Sequence, residues 1–399
     1  MLYPISSPSL PQELAEVTID HLWDDRRALQ ACSLVCKAWL PSSWFHLFHE
    51  LGLDYHGSKC DVPEEFSSAK YVRMLMLEDL PATQFPRDLA QFTSTTSLFI
   101  NECYTLTMGP AISSTFPNIT CLELKNVHYQ SFGEFATMFC SFPLLQTFTM
   151  RTGSHPWPAY HGAVIPHISL PRGLCTLNID TCRLYDVLHW LLTQKRLPRL
   201  ATVRVHYAPT SAAFSIATLL RSLGASLQHL ELALADKGGA DAFKQIDLRY
   251  NTQLQSLTIQ KGWKQLLMHF LSDCSQHSKL TTVSLTTYNP GMADFDWTEM
   301  NSMIMDPKTP LHLSSVNVWV MARPWQLPEF ELPGVFRFLS ERQRYKLLDA
   351  RLVRPYTRRS WEAELALSAD LQCCTYTEAA GREEFDDLKQ FLLRKLLSK

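Results

Sequence analysis

Glycine is scarce, 14 in 399 residues. None falls in G-x-x-x-x-G-K-[ST], in G-x-G-x-x-G after a strand, or in a G-x-S-x-G elbow, so the sequence carries no phosphate cradle, dinucleotide turn or serine-nucleophile turn. There is no C-x-x-C, no paired Cys/His knuckle and no H-E-x-x-H, the spacings chelation usually needs. No catalytic residue, metal or cofactor is expected. No apolar run approaches the 18 or more residues that would span a bilayer, and "MLYPISSPS" has no basic start followed by an apolar stretch. A formal net charge of -2 supplies no field to gather nucleic acid or anionic lipid. The expectation is a soluble, cytoplasmic or nuclear chain that binds neither nucleic acid nor membrane. Eleven cysteines, odd in number and scattered, do not make a disulfide framework. Reduced, mostly buried thiols are expected.

What is present is a repeat. Apolar-x-x-apolar-x-apolar recurs as "VRMLML" at 72, "TTSLFI" at 95, "ITCLEL" at 119, "LQTFTM" at 145, "LCTLNI" at 174, "LATVRV" at 200, "LQHLEL" at 227, "LQSLTI" at 254, "LTTVSL" at 280 and "LSSVNV" at 313. The central anchors, Leu75, Leu98, Leu122, Phe148, Leu177, Val203, Leu230, Leu257, Val283 and Val316, lie 23 to 33 residues apart, and all but the last gap fall in the leucine-rich-repeat range. Of 30 anchor positions only Thr95 is polar. Of the 30 alternating positions only Met74, Met76, Phe99, Cys121, Ala233 and Trp319 are apolar. Such alternation describes strands with one buried and one wet face.

Between strands, residues 131–142, 184–195, 211–223 and 263–274 show helical periodicity; Leu184, Val187, Leu188, Leu191 and Leu192 form one stripe. Cys103 and Cys182 each follow the last strand anchor by three residues, where the repeat turns a small residue into the interior. The fold class is therefore α/β: a leucine-rich-repeat solenoid of about ten repeats over 70–335, with parallel strands on a concave face and helices outside. Residues 336–399 lack the repeat. "FRFLSERQRYKLLDARLV" (336–353) and "EEFDDLKQFLLRKLL" (383–397) read as helices, giving a helical C-terminal cap.

Residues 10–48 have another texture: "LPQELAEVTIDHLWDDRRALQACSLVCKAWLPSSWFHLF". Leu10-Pro11 leads into a helix with Leu14, Val17 and Leu22 on an apolar face. Asp24 or Asp25 N-caps a second, carrying Leu29, Cys32, Val35 and Cys36, and Pro41 begins a further one with Trp44, Phe45 and Phe48. So small a unit cannot bury all that apolar surface internally. Residues 1–9 read as a flexible N-terminus and 49–69 as a linker.

Leu10-Pro11-x-Glu13-Leu14, Ile19-x-x-Leu22, Leu29, Cys32-x-x-Val35-Cys36 and Trp39 together resemble the F-box, in the form common in mushroom-type fungal proteins. The resemblance covers the whole motif. It departs from well-studied members in the "WDDRR" linker and in Pro41, which interrupts the third helix. It implies a three-helix module that docks on the Skp-type adaptor and, through it, cullin, in an SCF (Skp, cullin, F-box) ubiquitin ligase. Leu10, Pro11, Leu14, Ile19, Leu22, Leu29, Cys32, Val35, Cys36 and Trp39 would bind the adaptor or pack the helices that present it. Repeats after such a module imply a receptor for a target protein, not an enzyme. A scaffold that binds partners without ubiquitination is the alternative.

On the wet strand face, Glu123, Lys125, Arg151, Asp180, Arg204, His206, His229, Glu231 and Trp319 are the candidate target-binding residues. Long insertions at 151–171, 287–297 and 321–334 carry Trp157, Tyr160, Trp297 and Trp325 beside proline, as candidate binding loops.

Overall fold

The computed structural model describes residues 11–55, 67–80, 86–103, 109–129, 131–151, 169–181, 183–234, 240–260, 264–273, 279–288, 315–322, 349–353 and 363–369. The chain divides into two compact units, Met1–Asp186 with Gln194–Pro198, and Val187–Thr193 with Arg199–Lys399. Residues 1–9, the C-terminal segment 383–397 and the aromatic-bearing parts of the three insertions lie outside the described residues.

The first unit opens with three helices, α1 (Gln12–Asp20), α2 (Arg26–Val35) and α3 (Leu40–Phe48). Helix α2 starts where it does because the Asp25 carboxylate accepts the N–H groups of Arg27 and Ala28, each at 3.0 Å, satisfying two of the donors a helix start leaves unpaired. Pro41 lies in the first turn of α3, where no amide donor is needed, and the helix runs on to Phe48. It therefore does not interrupt the third helix. Gln12 Nε2 donates to the Ala38 carbonyl at 3.2 Å, and Asp20 Oδ1 meets His46 Nε2 at 2.8 Å. Both ends of α1 are thus tied alongside α3, the two helices running in the same direction. Ala15, Ile19 and Leu29 fill the interior.

The strands follow: β1 (Glu50–Asp54), β2 (Met74–Glu78), β3 (Ser97–Asn101), β4 (Cys121–Lys125), β5 (Thr147–Arg151) and β6 (Thr176–Asp180). Each pairs parallel with the next, with Leu51, Leu75, Leu98, Leu122, Phe148 and Leu177 in one register row. Helices α4 (Gly109–Thr115), α5 (Phe132–Cys140) and α6 (Leu184–Thr193) intervene, α6 crossing the division between the units. A Cβ on Gly109 would sit 3.0 Å from Met138 Cα, so glycine there permits the close approach of α4 to α5. Phe132, Phe135, Phe139 and Phe148 pack ring against ring, the closest pair edge-to-face at 4.6 Å.

The second unit continues with β7 (Thr202–Ala208), α7 (Ala213–Leu223), β8 (His229–Leu234), α8 (Ala240–Phe243), β9 (Ser256–Gln260), α9 (Lys264–Asp273), β10 (Thr282–Tyr288) and β11 (Ser315–Ala322). Strands β7 to β11 are parallel.

All ten strands and four helices expected from the periodicity form, and every repeat anchor whose side chain is described is at most 1% exposed. Thr95, the polar exception, is buried like the rest. Directly after β2, β3 and β4, and inside β7 where its register with β8 shifts, the chain passes through a left-handed residue, Asp79, Glu102, Asn126 and Tyr207 (φ 51° to 55°). The next residue but two from the last anchor then turns inward, burying Leu80, Cys103, Val127 and Ala208. Cys103 thus fills the turn position expected of it; Cys182 lies outside the described residues.

Three expectations need correction. The segment 49–69 is not merely a linker: it contains β1, which pairs with β2, and the start of a short 3-10 turn over Ala69–Tyr71. The segment 336–399 is not purely helical, since β12 (Asp349–Val353) and β13 (Ala363–Ala369) lie within it, β13 antiparallel to both β11 and β12. The thiols are not mostly buried: of the described cysteines Cys103 is buried, Cys36 is exposed, and Cys32, Cys121, Cys140 and Cys175 lie between.

Candidate functional site

The motif residues of the helical module separate by exposure. Ile19 and Leu29 are fully buried, while Leu22, Cys32 and Trp39 are half-buried. Leu14 is 53% exposed and Val35 60%, with Pro11 also exposed. Leu10 lies outside the described residues. Cys36 does not share the helix face of Leu29 and Cys32, because α2 ends at Val35 and Cys36 is its extended C-cap (φ -160°, ψ 166°), exposed to solvent. It cannot complete an interior there.

Two exposed apolar pairs stand on this module. Leu14 and Val17 are three apart on α1 and so share a helix face. Leu34, 86% exposed, adjoins Val35 at the end of α2. The Gln12–Ala38 bond brings the start of α1 to the turn that follows Val35. Leu34 was not singled out by sequence, although two adjacent apolar residues at a helix end cannot both face inward. Trp23, in the loop before α2, is likewise exposed.

On the polar face of the first unit, Arg151 Nε meets Glu123 Oε1 at 3.4 Å, and Arg151 stands in register between Lys125 and Asp180. Asn178 Nδ2 donates to Thr149 Oγ1 at 3.0 Å. In the second unit, Glu231 gathers two other candidates, Arg204 Nε at 3.2 Å and His206 Nε2 at 3.9 Å, together with the Gln260 amide, which sequence did not single out and which donates to Oε1. His229 stands in register with Thr202 and Ser256, one row removed. Trp319 is on β11, opposite Thr286 and three strands from Glu231, so it does not join that cluster.

Burial pushes the Cys103 thiol up to about 12, helped by the Asp79 charge, and burial alone does the same to Cys140. Both are neutral packing groups. The Arg249 guanidinium beside Asp247 holds that carboxyl below its ordinary range through a two-pronged bond of 2.8 and 2.9 Å. Among the described residues no group of three or more His, Cys, Asp or Glu could hold a metal ion, and no helix is long and apolar enough to cross a membrane. No protein-family model and no curated protein matches the chain.

Proposed function

We propose that the chain is the substrate-recognition subunit of an SCF-type ubiquitin ligase, its helical module an F-box that holds a Skp-type adaptor and its leucine-rich repeats the receptor for a target protein. The observation that carries this reading is the exposure of Leu14, Val17, Leu34 and Val35 on a module whose interior Ala15, Ile19 and Leu29 already fill. Apolar side chains left outside a closed core favour a partner of complementary surface. Docking through them would bring cullin by way of the adaptor, and the ubiquitin chemistry would reside in the rest of the ligase.

Co-purification of the full chain with adaptor and cullin tests both steps. Leu14→Asp and Leu34→Asp should abolish adaptor capture while leaving the circular dichroism spectrum unchanged. Adaptor binding that survives both substitutions would overturn the docking assignment. Capture of adaptor without cullin would favour the scaffold reading.

A further inference from the structure

The polar face of the repeats is not polar at its first strands. Gly52, Met76 and Phe99 occupy one register row across β1, β2 and β3, with Met74 in the row before. Met76 is 38% exposed, Met74 and Phe99 are half-exposed, and Gly52 adds no side chain above the strand. The Met76 methyl carbon lies 3.9 Å from where a Gly52 Cβ would be, so the methionine leans over the bare backbone. Exposed methionine beside an aromatic ring is a soft surface that shapes itself to an incoming apolar side chain.

Carboxylates border this floor on β1 and β2, while beyond them the row of Asp54 and Glu78 continues through Asn101 to Lys125. Glu50 flanks Met74 in register, Asp54 and Glu78 form the next row beyond Gly52 and Met76, and Glu123 follows Phe99 in the same row. His49 lies 3.3 Å from Glu50, the Asn101 amide donates to Glu78 at 3.4 Å, and Arg151 meets Glu123. An apolar floor beside a negative rim is complementary to an apolar side chain flanked by cations.

We propose that Met74, Met76 and Phe99, rimmed by Glu50, Asp54 and Glu78, bind an extended protein segment in which a large apolar residue is followed by Lys or Arg. The apolar side chain packs on the methionines and the cations meet the rim. This rests on the reading above only in treating the segment as part of a target.

Fluorescence anisotropy of the full chain with three labelled peptides tests it: Gly-Ser-Phe-Lys-Lys-Ser-Gly, the same with Ser for Phe, and the same with Glu for both Lys. The first should bind about tenfold or more tightly than the others, as burial of one aromatic side chain plus charge pairing implies. Met76→Gln should weaken the Phe-Lys-Lys peptide and leave the Ser-Lys-Lys peptide unchanged. Glu78→Lys should weaken Phe-Lys-Lys and strengthen Phe-Glu-Glu. Equal binding of the Phe and Ser peptides, or indifference to both substitutions, would overturn the proposal. No ligase component enters the measurement, and Met76→Gln should leave adaptor capture intact, so this reading and the docking assignment fail separately.

Discussion

The His49 carbonyl accepts the Met74 N–H at 2.8 Å, and that of Arg73 at 2.9 Å, so the C-cap residue of α3 is also the first acceptor of the strand ladder. The same double bond recurs one repeat at a time in the first unit: Arg73 accepts from Thr96 and Ser97, Thr96 from Thr120 and Cys121, Thr120 from Gln146 and Thr147, and Gln146 from Cys175 and Thr176. It reappears in the second unit at Ala201, Gln228 and Gln255. The helical module is therefore joined to the repeats as their opening turn, and its stability is shared with theirs.

Trp44 makes the joint testable. Its ring meets Phe48 at 6.0 Å and Tyr71 at 6.1 Å, both edge-to-face, linking α3 to the turn before β2. Trp44→Ala should lower unfolding stability by about 2 kcal/mol through lost packing and two aromatic pairs. Urea titration should show the loss in the same transition that reports the strands. A separate early transition confined to the helices would mean the two are not coupled.

Anchors and their alternating neighbours should differ sharply. Leu230 is 1% exposed in the core of the second unit, so Leu230→Ala should cost roughly 2 to 5 kcal/mol by leaving a cavity. His229, beside it on the half-exposed face, should cost about 0.5 kcal/mol or less as His229→Ala. Paired denaturation curves decide this, and equal losses would contradict the assigned strand faces.

The repeats were legible because strand burial has a period of two and the unit recurs about every 26 residues, so pattern and spacing reinforce each other. Strand β1 carries the same signal, Phe48-x-x-Leu51-x-Leu53, with Leu51 24 residues before Leu75. Its first anchor lies inside α3, which hid it within the helical run. Strand β13 alternates as Ala363, Leu365, Leu367 and Ala369, too far from the last repeat for the period to find it. The apolar patch at Met74, Met76 and Phe99 was visible only as three exceptions to the alternation. Their adjacency depends on strand register, which no single segment encodes.

Thiol labelling should follow exposure. Among the described cysteines of the folded chain, Cys36, extended and open to solvent, should react with maleimide first, and Cys103, buried with its Sγ 3.8 Å from the Leu80 carbonyl, last. Cys36→Ser should leave stability within about 0.5 kcal/mol of the parent. Because folding raises the Cys103 and Cys140 pKa values from 9.0 to about 12, the folded chain holds protons that the unfolded chain releases. Their contribution is complete below 9.0 and is lost as pH climbs toward about 12. Stability measured across that window should fall with pH, and Cys103→Ala with Cys140→Ala should flatten the slope.

Asn251 offers a sharper test of local satisfaction. It is fully buried, and its Nδ2 donates to the Leu220 carbonyl at 2.8 Å and the Gly224 carbonyl at 3.0 Å. These carbonyls belong to the end of α7, where Gly224 at φ 50° ends the helix; Leu220 also accepts from the Gly224 N–H and Gly224 from the Leu227 N–H at 3.4 Å, so the Asn251 amide adds a second donor to each. Asn251→Ala removes both side-chain donors from a buried position and should cost about 1 to 2 kcal/mol, since each carbonyl loses one of its two hydrogen bonds. Asn251→Asp keeps the shape but places an acceptor-only carboxylate against two carbonyl oxygens, so at neutral pH it should be less stable than the alanine variant. Acidification protonates that carboxylate and restores one donor, so the gap between the two variants should narrow and then reverse as pH falls. If the aspartate variant instead matches the parent at neutral pH, the amide is not capping α7.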